Sequence, residues 1–476
     1  MTKQRLNKAL VVGALASAMF ATKAQPQSAD ALINKLLEKG VLTEKEAQEL
    51  KTESGQTNLV SASKWKLSDS IKSIGLFGDA RFRYENRGAE NATGSGGTGT
   101  SYNRERFRYA LRLGLKGDLF DNFYYGLRVE TSTNPRSPWV TMGDDTASTP
   151  SAKNSDGIGI GQIYVGWKPT DWFEITVGRM PMPLYTTPML WDSDINPEGA
   201  VEKFKFSVAN VDLFATFGQF MYQDTNPDHG LPSSDTFLMA WQVGAKVNLA
   251  EDMSFKIAPV LYNYTGVGAS GGLNVPFSGQ GDTNGLNTSP GNKFNQSGIN
   301  DLLVLETPVE FNFKIGSYNA RFFGDFAYNF EGDKRAQAAA SAASLPQAYT
   351  GENKAYQTGF GFGNFGPVYG PTSGLVYGST SKKNTWEARA YYQRVEQYAA
   401  DVNLLDSDFF EGRGNLQGVY AAFAYSITDA IIGTFRYGYA QRINDNLGTG
   451  GNNPDLPVLN PIRNYHIIQL DLTYRF

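Results

Sequence analysis

The sequence contains no cysteine among its 476 residues and only two histidines, His229 and His466. Without cysteine there is no disulfide framework, so stability has to come from the fold itself. Beyond a short N-terminal stretch, no segment reaches about 18 consecutive apolar residues, which excludes membrane-spanning helices. The apolar fraction is only 41%, and the longer apolar runs expected of a large soluble core are missing as well.

Net charge is also small, at −4. Lys3, Arg5 and Lys8 precede an apolar stretch, 9–21, which ends in small residues. This pattern predicts a secretion signal over residues 1–24. Its removal takes away four basic residues and no acid, which changes the net charge from −4 to −8. A negative balance argues against nucleic acid as a partner.

Glycine and aromatic residues, by contrast, are abundant, with 51 Gly, 25 Tyr and 30 Phe. A membrane β-barrel with a wet interior needs no continuous apolar core, because half of each strand faces water and half faces lipid. Its surplus aromatic residues form girdles at the two membrane interfaces. The composition therefore favours such a barrel.

The C-terminal segment, 465–476, alternates strictly between two faces. Its polar or mixed face carries Gln469, Asp471, Thr473 and Arg475, and its apolar face carries Ile468, Leu470, Leu472, Tyr474 and Phe476. Strands of soluble sandwiches alternate too, but an apolar face that closes on an aromatic residue is typical of the last strand of an outer-membrane barrel. We therefore assign Tyr474 and Phe476 to an assembly signal.

The same alternation recurs along the chain. Segment 104–116 places Phe107, Tyr109, Leu111, Leu113 and Leu115 on one face and basic residues on the other. Segments 235–249 and 303–315 follow this pattern, and each strand has about the length that a tilted strand needs to cross a bilayer. The faces of 213–222, 254–264 and 415–426 are ambiguous.

Short turns and long polar loops alternate between these strands. Short turns are expected at 117–122, 168–172, 209–212, 250–253, 316–319, 379–385 and 427–430. Long loops are expected at 86–103, 132–157, 179–200, 223–235, 265–300, 331–354, 397–414 and 443–463. The alternation predicts about sixteen strands, with both ends of the barrel segment on the short-turn side. A glycine-rich insertion at 363–374 could hide or add a strand.

The chain thus divides into four parts. The signal, 1–24, is followed by a predicted periplasmic helical hairpin, 25–56, with a helix-breaking glycine and a capping box. A polar linker, 57–70, leads to the all-β transmembrane barrel, 71–476. The hairpin is too short to fold alone, and either a spacer or a self-associating or cell-wall-facing element would fit it.

Several segments resemble the bacterial putative-porin family. They are KLLEKGVLTEKEAQEL (35–50), RERFRYALRLGLKGDLFDNF (104–123), LWDSDINPEGA (190–200) and the run 388–437. The resemblance extends over nearly the whole mature chain. It implies a general porin-like barrel and pore activity, and it names no substrate.

Motifs for other chemistry are weak. Segment 192–203 opens like a calcium loop, but Pro197 and Lys203 occupy the positions of the turn glycine and the closing glutamate. Segment 361–366 matches a dinucleotide fingerprint by letter only, since no helix follows it. A barrel enzyme would need a histidine beside a Ser or Asp at the rim, for which His466 is the candidate. We expect no cofactor and no metal.

The inward faces of the first three strands carry charge of one sign. These residues are Arg81, Arg83, Arg106, Arg108, Arg112 and Arg128. A wet lumen tolerates charge without any function, but clustering on one side favours a functional role. The third long loop carries Asp192, Asp194 and Glu198, and in sixteen-stranded porins that loop folds into the lumen. Acids facing arginines would create a transverse field at a pore constriction.

The sequence therefore predicts an outer-membrane porin that passes small hydrophilic solutes and ions through a charged constriction. Its expected partners are outer-membrane lipid, the barrel assembly machinery and two further copies in a homotrimer. The open alternatives are an anion- or phosphate-selective channel, a barrel-embedded enzyme and a structural envelope anchor.

Overall fold

We describe the fold from a computed structural model of the chain. It describes residues 68, 70–91, 93–94, 97–98, 101–132, 134, 137–143, 156–224, 235–266, 299–342, 346–364, 382–449 and 461–476. The predicted signal, the helical hairpin and nearly all of the linker lie outside the described residues.

Sixteen long strands make up the structure, two of them interrupted. They are β1 Gly75–Asn91, β2 Ser101–Asp118, β3 Phe123–Thr131, β4 Ile158–Trp167, β5 Phe173–Arg179, β6 Glu198–Val208, β7 Val211–Gln223, β8 Thr236–Ala250, β9 Met253–Ile257 with Val260–Thr265, β10 Leu303–Glu306 with Val309–Ile315, β11 Tyr318–Asn329, β12 Lys354–Gly363, β13 Trp386–Val395, β14 Leu416–Ser426, β15 Ile431–Arg442 and β16 Ile462–Arg475.

Each strand pairs antiparallel with its neighbours in sequence, and the sheet closes on itself. Strand β1 pairs with β2, where Asp79 lies opposite Arg112, and also with β16, where Asp79 lies opposite Arg475. Closure leaves no unpaired strand edge, which is the condition for a sheet to span a membrane. The prediction of an all-β antiparallel barrel of about sixteen strands is confirmed.

The two surfaces of the barrel wall differ in polarity as the alternation predicts. In β2, Leu111, Leu113 and Leu115 are exposed on the outside, whereas Arg108 and Arg112 are buried on the inside. Exposed large apolar residues occur on the outer faces of most other strands as well. An outer surface of this kind fits hydrocarbon rather than water.

The connections at one end of the barrel are short, with one exception. Residues 119–122, 168–172, 209–210, 251–252, 316–317 and 427–430 join consecutive strands there. The exception runs from 364 to 385, so the short turn expected at 379–385 is only the end of a longer connection. Because β12 pairs directly with β13, the glycine-rich insertion adds no strand between them.

Strands β9 and β10 are interrupted side by side, at Pro259 and Pro308. Proline has no backbone N–H to donate to the sheet. The N–H of Ala258 donates to the carbonyl of Pro308 over 3.1 Å, and the carbonyl of Ala258 accepts the side chain of Gln242 over 3.1 Å. The interruption thus turns a backbone carbonyl toward a side chain inside the barrel.

One α-helix, α1 Gly332–Ala342, occurs among the described residues, within the long polar loop predicted at 331–354. Asp333 lies in its first turn, and the Arg335 guanidinium donates to the carbonyl of Asn300 over 2.6 Å. Ala336 and Ala339 pack with Tyr398. Within the described part of the chain, no helix is long and apolar enough to cross a membrane.

The wall of β15 offers a matched test of its two faces. Phe435 is exposed on the outside, whereas its neighbour Thr434 is half-buried on the inside, opposite Asp471. We expect Phe435→Arg to destabilise the inserted barrel by about 2–4 kcal/mol, because a charge on the lipid face is costly near mid-bilayer. Thr434→Arg should be tolerated. Refolding into lipid vesicles, followed by denaturant titration, measures both; equal effects would contradict the assigned faces.

Candidate functional site

The loop between β5 and β6, residues 180–197, turns into the barrel and is called loop A. Its apolar side chains, among them Leu184, Tyr185 and Met189, are buried. Gln242 on the wall holds it by two hydrogen bonds: the N–H of Tyr185 donates to Oε1, and Nε2 donates to the carbonyl of Tyr185, each over 2.8 Å. The third long loop therefore lies in the lumen, as the sequence predicts.

Glu306 on β10 anchors the same loop through both of its carboxylate oxygens. Oε1 accepts the hydroxyl of Thr186 over 2.6 Å and the backbone N–H of Thr187 over 3.3 Å, and Oε2 accepts the hydroxyl of Tyr262 over 2.7 Å. The hydroxyl of Thr187 also donates to Asp325. Loop A is thus fixed to the β8–β11 side of the wall by side chains that the sequence analysis did not single out.

A second loop enters the barrel, which the sequence analysis did not predict. Residues 396–415, between β13 and β14, are called loop B, and nearly all of them are buried. We expected 397–414 to be an external polar loop, and this is wrong. The reason is composition: Val402, Leu405, Phe409 and Phe410 pack with the inward side chains of the wall, and apolar side chains of this number are stabilised by leaving water.

Loops A and B meet at Asp192. Its backbone N–H donates to the carbonyl of Leu404 over 2.6 Å, and its Oδ2 accepts the N–H of Ser407 over 3.0 Å. Its Oδ1 accepts the N–H of Asp194 over 2.9 Å. The predicted constriction acid Asp192 therefore binds backbone amides and joins the two loops, instead of facing the arginines as an open carboxylate.

Glu85 is the centre of the arginine wall. It is fully buried, and its Oε1 lies 2.7 Å from Nε of Arg106 and 3.0 Å from Nε of Arg87. Arg108 approaches its Oε2 to 3.7 Å. An isolated buried charge is costly, and pairing of this kind offsets part of that cost. Arg106 and Arg108 lie together, as predicted, but around a carboxylate of their own wall.

Arg83 connects the wall to loop B. Its guanidinium binds Asp471 of β16 through Nε and Nη2 at 2.8 and 3.0 Å, and it binds Asp408 of loop B at 3.0 Å. The other side of the guanidinium lies 4.0 Å from the ring centroid of Trp139. Hydrogen bonds to two carboxylates and an aromatic ring over one face therefore fix the position of this guanidinium in the lumen.

Arg112 connects the wall to loop A. Its Nη2 lies 2.6 Å from Oδ1 of Asp194, and its Nε lies 3.2 Å from Glu130, which also binds Arg128 at 2.9 Å. Burial alone would raise the pKa of Asp194, but the nearby charges of Arg112 and Arg81 outweigh it and lower that pKa. The predicted pairing of an acid of the third loop with the arginine wall is present here.

The two remaining predicted residues, Arg81 and Glu198, have other ion-pair partners. Arg81 pairs with Asp79 of its own strand. Glu198 pairs with Arg179 at 2.8 Å, its side chain is 55% exposed, and it shares its face of β6 with Phe206 and Val208, which are 51% and 64% exposed. The structure therefore places Glu198 on the outside of the wall, and its assignment to a pore constriction is corrected.

Several residues of the arginine network had not been assigned to the site, among them Glu85, which lies at its centre. Asp408, Asp471 and Trp139 bind the arginines from a loop, from the last strand and from the segment after β3. Asp408 lies within the run 402–410, VNLLDSDFF. An apolar run of this kind in a supposedly external loop is the signal that could have identified it.

The two C-terminal aromatic residues lie on the outer face, where both are about half exposed. The backbone of Phe476 exchanges hydrogen bonds with Gly78 over 2.9 and 3.1 Å. The ring of Phe476 covers Gly78, where a Cβ atom would come within 2.6 Å of it. The last residue thus completes the closing strand, and the assembly role of Tyr474 and Phe476 stays a prediction.

His466 was the candidate catalytic residue of the enzyme alternative. His466 lies across from Gly88 and Tyr439 in the sheet, and neither is the Ser or Asp that the enzyme alternative calls for. Its ring lies over Gly88, where a Cβ atom would come within 2.2 Å of it. His229 lies outside the described residues.

Comparison with known proteins identifies the family. The family described as "Putative porin" matches residues 89–317 and 304–476. This chain belongs to the putative porin family. The family and the fold point to a channel rather than an enzyme. No curated protein matches the chain.

Solved porin structures show a distant likeness. The anion-selective porin from Comamonas acidovorans is 9% identical, with 85% of this chain and 99% of that chain covered and a TM-score of 0.42. A Rh. blastica porin mutant is 10% identical, with 85% and 100% covered and a TM-score of 0.36. At these values the likeness adds nothing about solutes.

Asp406 lies at the junction of the two loops of this porin-family barrel, where its backbone N–H donates to the carbonyl of Pro188 over 3.2 Å. Burial raises its pKa well above the usual value, and the charges of Asp192 and Asp408 raise it further. A raised folded-state pKa contributes stability below the unfolded value near 4 that is lost as the pH rises through the folded value. The junction is therefore expected to loosen at higher pH.

We expect single-channel current noise to increase as the pH rises from the usual carboxyl range near 4 into the alkaline range, because Asp406 then ionises beside two other carboxylates. Asp406→Asn should remove that increase, because the amide cannot ionise. Recordings of both proteins at constant salt measure it. A wild type that behaves identically over this range, or a variant that keeps the full pH response, would contradict this role of Asp406.

Proposed function

We propose that this chain is an outer-membrane porin through which small hydrophilic solutes and ions diffuse passively. The observation that carries the proposal is a closed barrel, apolar outside, whose charged inner wall is bridged by two inward loops. A barrel of sixteen strands is wide enough for an aqueous channel, and inward loops reduce it to solute size.

We assign the constriction to the wall arginines and to loop A. Its members are Arg81, Arg83, Arg106, Arg108, Arg112, Arg128, Asp192 and Asp194. Arg112 supplies positive charge and Asp194 negative charge at 2.6 Å from each other, and Asp192 holds the loop that carries Asp194. Opposite charges fixed on wall and loop orient dipolar solutes and water as they pass.

The charge balance supports a weak preference for anions. Eight arginines share six carboxylates in this network, a surplus of two: Arg81, Arg83, Arg87, Arg106, Arg108, Arg112, Arg128 and Arg436 against Asp79, Glu85, Glu130, Asp194, Asp408 and Asp471. Because each arginine has a carboxylate within reach, the alternative of a strongly phosphate-selective channel receives less support.

We also propose how the protein is exported and inserted into the outer membrane. A cleaved signal would export it, and the barrel assembly machinery would insert it into outer-membrane lipid by recognising Tyr474 and Phe476. We also propose a homotrimer. The exposed apolar residues of the outer face support contact with lipid or with further copies, since either would remove them from water.

Recordings from the purified protein in a planar bilayer test the proposal. We expect stepwise currents. Under a salt gradient, the reversal potential should be small, with the sign that indicates a preference for anions. The absence of current steps at any salt concentration would contradict a pore and would favour the structural-anchor alternative.

Selectivity gives a sharper prediction. Arg81→Gln with Arg128→Gln should move the anion-to-cation permeability ratio toward cations by about twofold, because loss of fixed positive charge lowers the local anion concentration. The substitutions leave the acidic partners of the two arginines, Asp79 and Glu130, on the inner wall. Glu198→Gln is the matched control, since Glu198 lies outside, and it should leave the ratio unchanged. A double variant equal to wild type would place the constriction elsewhere.

A further inference from the structure

Three of the attachments of loop B define its path through the barrel. On one side, Asp408 binds wall residues of β1 and β16. On the other side, Asp401 accepts the hydroxyls of Tyr222 and Tyr264, the latter over 3.0 Å. Between these points the loop joins loop A at Asp192. Loop B therefore crosses the lumen as a strap fixed at both ends.

The attachment at Asp408 uses side chains and backbone together. Arg83 binds both of its carboxylate oxygens at 3.0 and 3.1 Å, and Arg87 and Gln469 bind Oδ1 at 3.1 and 2.9 Å. The hydroxyl of Tyr465 donates to the carbonyl of Asp408 over 2.9 Å. Charge-assisted hydrogen bonds of this kind are the strongest that a loop can form with a wall.

Asp408 borders water, whereas its arginine partners do not. Its side chain is 26% exposed, against 3% for Arg83 and 1% for Arg87. Without Asp408, Arg83 would keep Asp471, and Arg87 would keep Glu85. Loss of this carboxylate therefore leaves both arginines paired within the wall and weakens the attachment of loop B, which then depends on the bonds of Tyr465 and Arg87 to the backbone carbonyls of Asp408 and Ser407.

We propose that Asp408 is a positioning residue that sets the solute size limit of the channel, by holding loop B across the lumen. The inference rests on the proposed pore function and assigns its size selection to the strap, in addition to loop A. When the attachment is released, the end of loop B near β1 and β16 moves away from the wall and the passage beside the arginines widens.

Asp408→Asn tests this proposal in the full chain, because the amide has one oxygen and no charge for Arg83 and Arg87. We expect single-channel conductance to rise about twofold or more, and liposomes to admit larger polyethylene glycols than wild type does. Asp408→Glu, which keeps the carboxylate, should restore most of the wild-type size limit. A purely structural role would change yield or stability without moving that limit.

Asp445→Asn is the matched control. Asp445 also pairs with an arginine, Arg442, at 2.6 Å, but its side chain is 87% exposed. The Asp445→Asn variant should leave the single-channel conductance and the solute size limit unchanged. Should Asp408→Asn fail to fold, the double variant Tyr222→Phe and Tyr264→Phe removes the hydroxyls at the opposite end of the strap. That variant keeps both rings and is expected to widen the channel as well.

The outcomes separate the two claims. The proposed pore function would be overturned if the wild-type protein formed no current steps and if liposomes containing it admitted no polyethylene glycol. Wild type that conducts, together with Asp408→Asn and the double tyrosine variant at the wild-type size limit, would overturn the strap and leave the pore intact. A widened channel in Asp445→Asn would equally contradict a specific role for Asp408.

Discussion

Arginines on the barrel wall pair with carboxylates of the wall itself and of two inward loops, and the interior of the barrel depends on this pairing. Asp194 of loop A binds Arg112, and Asp408 of loop B binds Arg83 and Arg87. A folded loop displaces the water that would otherwise solvate the wall, and an unpaired buried guanidinium costs several kcal/mol. The loops can lie inside because they bring the opposite charge with them.

The rest of the interior follows from the same arrangement. On the side of the wall from β7 to β9, several inward residues have large rings or aliphatic side chains: Phe220, Leu238 and Tyr262 pack with loop residues such as Trp191 and Leu404. Where the loops bring carboxylates, the wall is basic. The lumen is therefore divided into a packed side and a charged side, and the channel that we propose runs along the charged side.

The barrel itself could be read from the sequence, because alternation and turn spacing are local properties. Segment 104–116 shows this: its apolar face lies outside and its arginines lie inside.

The faces of 213–222 were ambiguous because Phe214 and Phe220 point inward against loop A, so that both surfaces of β7 are apolar. Loop B was missed because its place in the lumen depends on partners in distant strands. Glu198 was misplaced because one residue decides between the inner and outer face of a strand.

The central claim is that ions pass loop A within the lumen. Ser193 is exposed on that loop, between Asp192 and Asp194, and the chain has no cysteine of its own. In Ser193→Cys, a negatively charged thiol reagent added during single-channel recording should change the current in one irreversible step, because the new charge lies in the conduction path. Asp171→Cys, in the short β4–β5 turn, is the control and should show no step. Complete labelling of Ser193→Cys with an unchanged current would contradict the account.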